Sequence, residues 1–485
     1  MHPNLQPFIR SFIITTSAVL SACANVAIFS PTDKPGQQTG QVTGLKDIVG
    51  NDSSPLTLVF VHGVNDTCRG YAIGDEAIQE TTNDSWLNDS VSKALGLTYM
   101  PKSQNNFEVT STEIGIGGNG KPGVNVTLIR QRNYTWKVPG SAKTLEVHAF
   151  EVTWSPMTRW IKNYLVGYDA APTSIFSGEG GPSIPTCKYD TADTLGNQTP
   201  PTPDPWFSPT SRVVANGSLK WYLMDRALAD AVIYAGTYGE AMQRGLAAAL
   251  CRIAGGAETN AQPCVWPKGG DLTQGHFVFV THSLGSRLLY DTLLNLSVTN
   301  GPTNKYPNGF SANYIAQATP VVNAMIAQTA GFYMMANQLT MLGTANVPVN
   351  APFNQQHPYI VHGSPQPQDT AAGDSSLDQA DSFVRLLKIR DLSPRIQSAS
   401  PTLAIVSFDD TNDLLTWHVP AWYVTALGEH AYGIQVADAF VKNATHILWS
   451  FEWPPSAHGG YFTDRDVWEV MVCGADRGTA NKCLH

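Results

Sequence analysis

The chain has 485 residues and a formal net charge of -9, from 39 Asp and Glu against 30 Lys and Arg. With no Lys/Arg cluster anywhere in the sequence, that balance argues against a nucleic-acid surface. Only 14% of residues are charged, while 12 Trp, 17 Tyr and 18 Phe suit a well-filled core or an apolar pocket; the length allows two or three domains, or one long α/β fold with insertions.

Taken in order, the first stretch reads as a targeting segment. Arg10 supplies a positive n-region, Phe12 to Leu20 an apolar core, and small residues follow, so residues 1–22 are predicted to be a signal peptide. The core is too short for a permanent membrane helix. Its end, Leu20-Ser21-Ala22-Cys23, resembles the lipobox of bacterial lipoproteins. The resemblance implies cleavage before Cys23, a lipid anchor on Cys23, and an envelope protein of the outer membrane facing periplasm or exterior; plain secretion is the alternative. Residues 23–55, polar and rich in Pro, Gly and Gln, are expected to form a tether.

Cys23 apart, six cysteines remain: Cys68, Cys187, Cys251, Cys264, Cys473 and Cys483. An even number in an exported chain suggests disulfides. Cys251–Cys264 and Cys473–Cys483 are the locally plausible pairs, leaving Cys68–Cys187, although sequence does not fix the connectivity.

The body, residues 56–485, opens with the apolar run Leu56 to Val61, which predicts a buried parallel strand ending in the turn His62-Gly63-Val64-Asn65-Asp66. A helix is predicted over Ser85–Leu97. Strand-like runs at Phe107–Ser111 and Asn125–Ile129, separated by Gly-rich sequence, predict a hairpin inserted at about 100–140. Leu145–Trp154 reads as a strand and Met157–Leu165 as a short helix. Tyr168–Arg212 is dense in Pro, Gly, Ser and Thr. It predicts an insertion at about 168–215, within an aromatic-rich stretch from Trp160 to Tyr238 that suits a lid. Leu219–Cys251 is helical in two pieces, broken near Gly236 and Gly239. A strand follows at His276–Thr281, then a helix at Leu284–Leu296. Phe332–Leu342 reads as a strand and its exit, Asp381–Ile389 as a helix, Thr402–Phe408 as a buried strand. Tyr432–Val441 and Thr445–Phe451 are the last strands, and Thr463–Val472 is a closing helix. Strands alternating with helices predict an α/β fold, a mainly parallel sheet with helices on both faces.

Within this order, four motifs each follow a buried strand. Thr281-His282-Ser283-Leu284-Gly285 places a serine between a strand and a helix with small residues at minus two and plus two, the grammar of a nucleophile elbow. A serine hydroxyl needs a base, an acid to orient the base, and donors for the oxyanion. Asp409-Asp410-Thr411-Asn412-Asp413-Leu414-Leu415 supplies carboxylates, Ala457-His458-Gly459-Gly460-Tyr461 a late histidine, and His62-Gly63 a turn. In an open α/β sheet such groups gather at the carboxyl ends of the strands.

From Leu56 to Val472 the chain resembles the α/β-hydrolase superfamily, in its esterase and lipase branch. The resemblance implies Ser283 as nucleophile, His458 as base and Asp413 as acid, with Asp410 as the alternative acid. It implies an oxyanion hole from the N–H groups of Leu284 and Val64. It also implies a reduced core, since the strands that usually precede the one ending in His-Gly are expected to be missing. His282, His418, His430 and His446 are expected to be structural. No metal or other cofactor is expected: His and carboxylates lack ligand spacing such as H-E-x-x-H. The expected partners are a small-molecule or lipid ester and, through Cys23, a membrane. A thioesterase, amidase or peptidase would use the same triad. A different class of reading is a non-catalytic envelope lipoprotein that keeps the fold and binds a partner through the 168–215 insertion.

Overall fold

The structure is a computed structural model. It describes residues 26–31, 40–49, 53–73, 95–100, 109–110, 127–166, 220–257, 264–297, 310–343, 386, 403–419, 434–443 and 454–484, apart from 66, 68–69, 269–271 and 273–274. Its strands, in chain order, are β1 (Ala27–Phe29), β2 (Val42–Thr43), β3 (Leu56–Val61), β4 (Leu97–Tyr99), β5 (Val109–Thr110), β6 (Leu128–Lys137), β7 (Thr144–Thr153), β8 (His276–His282), β9 (Thr329–Met335), β10 (Leu403–Asp410), β11 (Ile434–Val441), β12 (Gly474–Asp476) and β13 (Thr479–Ala480).

The main sheet runs β1-β11-β10-β9-β8-β3-β7-β6-β4, with β5 also on β6. From β11 to β7 the strands are parallel. At the edges β1, β4, β5 and β6 pair antiparallel. This is a mostly parallel mixed sheet of the α/β class. The chain steps from β3 to β7 on one side, then crosses to β8 on the other and continues outward through β9, β10 and β11. The order therefore reverses between β3 and β8, and a crevice at the carboxyl ends of those two strands is where such a sheet gathers its functional groups.

Alternate residues along the central strands feed two cores. Val59, Val61, Phe279, Phe332, Met334 and Ile405 face one side, where they meet residues of the helices Gly239–Ile253, Leu284–Ser297 and Ala312–Ala327. Leu58, Phe60, Val278, Val280, Val406 and Phe408 face the other, with Leu45, Val467, Trp468 and Met471. Burial on both faces is why these strands read as unbroken apolar runs. Two cysteine pairs lie at disulfide distance, Cys251–Cys264 with Cα atoms 6.1 Å apart and Cys473–Cys483 at 5.7 Å. Among the described residues no helix is long and apolar enough to cross a membrane.

Three expectations change. The stretch predicted as a tether is partly built into the body: Val26, Ile28, Val42, Leu45 and Val49 are buried, and β1 extends the sheet beside β11. Its few apolar residues are spaced among Pro, Gly and Gln, so no period shows, yet each fills a gap in the core. The sheet is not short on the side of β7, where β6 and β4 stand in antiparallel order. They follow β3 in sequence rather than precede it, so the predicted hairpin at 100–140 is part of the main sheet. Helix Ala312–Ala327 is not among the predicted elements; Pro320 interrupts its pattern, while Ser311 caps it by accepting from the Tyr314 N–H at 3.1 Å. Most of the predicted helices Ser85–Leu97 and Asp381–Ile389, the strand Thr445–Phe451, the 168–215 insertion, Cys23, Cys68 and Cys187 lie outside the described residues.

Candidate active site

β8 and the helix Leu284–Ser297 meet at Ser283, whose φ of 52° is in the left-handed region. A non-glycine residue rarely adopts that conformation, and it costs on the order of 1–3 kcal/mol unless its surroundings impose it. Here they do. The Ser283 N–H donates to the Met335 carbonyl at 2.8 Å, and the Ser283 carbonyl accepts from the Ser286 N–H at 3.0 Å. A Cβ on Gly285 would stand 2.4 Å from the His62 carbonyl oxygen, and one on Gly63 2.4 Å from the Ser283 Cβ. The two turns are thus pressed together, and glycine at both positions is a condition of their contact. Thr281, at the place where the motif usually has glycine, fits because its hydroxyl is 2.9 Å from that of Ser286. Gly285→Ala is expected to cost about 3 kcal/mol or more, since the obstructing atoms are backbone; soluble yield and melting temperature measure it.

The three residues named from the sequence converge. Ser283 Oγ lies 2.9 Å from His458 Nε2, and His458 Nδ1 lies 2.9 Å from both carboxylate oxygens of Asp413. All three are buried. Asp413 also accepts from the Leu415 N–H at 2.9 Å and the Tyr461 hydroxyl at 3.0 Å. Burial pushes its carboxyl up, but the His458 ring, the Leu415 N–H and the Tyr461 hydroxyl outweigh this and hold it below the ordinary carboxylate range. Asp410, the alternative acid, does not face His458. Its carboxylate accepts from the N–H groups of Asn412 at 2.8 Å and Asn443 at 2.7 Å, bracing the turn after β10.

Several supporting residues were not read from sequence. The Tyr461 hydroxyl, besides donating to Asp413, accepts from the Asp410 N–H at 2.8 Å. Asn443 Nδ2 donates to the Ala457 carbonyl at 2.8 Å. His282 has a specific place: its Nε2 is 2.6 Å from the His458 carbonyl, so the ring donates there and fixes the backbone of His458. His62 Nε2 accepts from the N–H groups of Trp154 at 2.9 Å and Ser155 at 3.2 Å. Its proton is therefore on Nδ1, donated to the Gly63 carbonyl at 2.7 Å. Stacked on Trp154 at 4.6 Å, this ring shapes the turn after β3.

Burial pushes both His62 and His282 down to about 3. Each is neutral when folded, whereas an unfolded histidine takes up a proton near pH 6.5. Between about 6.5 and 3 the unfolded chain therefore binds protons that the folded chain does not, and these rings withdraw stability as pH falls. Asp409, which burial raises to about 7, acts in the opposite sense over part of that range. The informative quantity is a difference: His282→Gln is expected to gain stability relative to the unsubstituted chain as pH falls from 7 to 4, read as melting temperatures of both at each pH.

The turn after β3 brings Val64 beside the elbow, through the register Val61↔Thr281 and the contact of Gly63 with Ser283. The N–H groups of Val64 and Leu284 donate to no described group. Chemically, this constellation can move a proton from Ser283 Oγ to His458 Nε2 while Asp413 stabilises the resulting imidazolium. Among the described residues no cluster of three His, Cys, Asp or Glu side chains could hold a metal ion. No family model, curated protein or solved structure matches the chain.

Proposed function

We propose that the protein is a serine hydrolase of the α/β-hydrolase superfamily that cleaves carboxylic esters, as a carboxylesterase or lipase. The observation that supports this best is the unbroken relay from Ser283 through His458 to Asp413, each link at 2.9 Å. Ser283 Oγ attacks the ester carbonyl carbon as its proton passes to His458 Nε2. The N–H groups of Val64 and Leu284 donate to the oxygen that gains charge, an arrangement in which one donor is worth about 10²–10³ in kcat. The acyl C–O bond then breaks, and His458 gives the proton to the departing alcohol. Water, deprotonated by His458, adds to the acyl-enzyme; the bond from Ser283 Oγ to the acyl carbon then breaks, His458 returns the proton to Oγ, and the acid leaves.

The test is reaction of the chain from Cys23 onward with a fluorophosphonate probe and with p-nitrophenyl esters of graded acyl length. Labelling of the unsubstituted chain but not of Ser283→Ala is expected; equal labelling of both, or of neither, overturns the reading. The acyl-length profile divides short-chain esterase from lipase.

The same proposal includes export and a lipid on Cys23. Because β1 begins at Ala27, such an anchor would hold the body close to the bilayer rather than on a long leash. Retention of the protein in the membrane fraction, and its release by Cys23→Ala, are the expected results; a protein that is soluble with or without the substitution would favour plain secretion.

A further inference from the structure

Beside the turn after β3 lies a buried ion pair that the mechanism does not use. Lys162, from the helix Pro156–Leu165, sets its Nζ 2.9 Å from both oxygens of Asp230, from the helix Ala229–Ala235. Both side chains are fully buried. An ion pair so placed costs several kcal/mol per ion in desolvation, and an apolar pair of similar volume is often no less stable. Stability alone therefore does not account for it.

A further contact of Asp230 gives a reason. Asp230 Oδ2 accepts the Asn65 N–H at 2.7 Å, and Asn65 has a φ of 89°. The residue next to Val64 is thus a non-glycine in a disfavoured conformation, with its N–H bound to a buried carboxylate. The far side of the same turn is held by Ser155, whose Oγ donates to the Thr67 carbonyl at 2.8 Å and accepts the Thr67 N–H at 3.2 Å. Farther along, Glu151 accepts the N–H groups of Ala72 and Ile73, at 2.8 and 3.1 Å, and that of Gly70. Within this frame, the Asp230 contact falls on the residue next to Val64.

We infer that Lys162 and Asp230 are positioning residues for the oxyanion hole. Asp230 holds Asn65 in its left-handed conformation and so aims the adjacent Val64 N–H at the oxygen that becomes charged. Lys162 balances the carboxylate, which unpaired would oppose that developing charge through a medium of low dielectric. This rests on the ester-hydrolase reading given above.

Two paired substitutions separate positioning from folding, with both charges removed in each. Lys162→Met with Asp230→Asn keeps an acceptor for the Asn65 N–H and is expected to retain kcat within about fivefold. Lys162→Met with Asp230→Leu has no acceptor. It is expected to lose about 10- to 100-fold in kcat, within the range of a misplaced oxyanion donor, with KM within about threefold. Its affinity for a phenylboronic acid, whose tetrahedral adduct on Ser283 uses the same hole, falls in parallel. Adding Asn65→Gly restores part of the loss, because glycine takes positive φ without a carboxylate to hold it. Should leucine not be accommodated, Asp230→Ala takes its place with the same expected losses. Equal kcat and boronate affinity in the two double variants, with the unsubstituted chain active and Ser283→Ala inactive, would overturn this inference alone. An unsubstituted chain that neither hydrolyses esters nor takes the probe would overturn the hydrolase reading and this inference with it.

Discussion

Ser283→Ala is expected to lower kcat for ester hydrolysis by about 10⁴- to 10⁶-fold, which at about 1.4 kcal/mol per factor of ten is roughly 5–8 kcal/mol of transition-state stabilisation. The Ser283 hydroxyl contacts His458 Nε2 at 2.9 Å, and alanine leaves the base no proton to take and the acyl group no oxygen to join. The fold should be little affected. The φ of 52° is held by main-chain bonds from Ser283 to Met335 and Ser286, which alanine retains. Melting temperature is therefore expected to stay within a few degrees. His458→Ala should cost a similar factor, and the double variant little more, because residues that act as one unit lose their effect together. Steady-state kinetics on the three variants provide the check. A loss below about a hundredfold for Ser283→Ala would mean that another group carries out the attack.

How much of this was legible in the sequence depends on what each residue answers to. The strands β3, β8 and β10 are buried on both faces, so their apolar runs alone locate them, and the residues that follow them are found by counting. Only the start of β6 was legible, as the strand-like run ending at Ile129 that pairs with β5, because its middle, Arg130-Gln131-Arg132-Asn133, is polar; pairing with β7 rather than a hydrophobic period makes the rest a strand. β1 is too short to show any pattern, and it exists because β11 offers an edge to pair with. The supports of the site were hidden for a related reason. Tyr461 lies 48 positions from Asp413 and His282 lies 176 from His458, so nothing in the spacing of either pair signals contact. Lys162 and Asp230 read as ordinary helix residues until the fold buries them together. What remained legible was the order of Ser283, Asp413 and His458, because strand succession fixes that order along the sheet edge.

Which carboxylate meets His458 was the point that sequence left open, and the length of β10 explains why. Its apolar run stops at Phe408, but the strand continues through Asp409 and Asp410, so the loop starts two residues later than hydrophobicity suggests. Asp413 then falls beside His458, and Asp410 remains at the strand end. Asp413→Asn is expected to lower kcat by about 10⁴-fold with the fold intact. The Leu415 N–H must still find an acceptor, so the amide oxygen takes the Oδ1 position and the NH₂ group turns toward His458. That group donates to Nδ1, which places the ring proton on Nε2, where it blocks acceptance of the Ser283 proton. Asp410→Asn should behave differently. It keeps an acceptor for only one of two main-chain N–H groups, those of Asn412 and Asn443, and loses a hydrogen bond to a charged group worth about 1.5–3 kcal/mol. Its melting temperature should therefore fall while kcat stays within about tenfold. Kinetics and thermal unfolding of both variants, side by side, provide the comparison. An Asp410→Asn variant as slow as Asp413→Asn, at temperatures where both are folded, would overturn the assignment of Asp413 as the proposed acid.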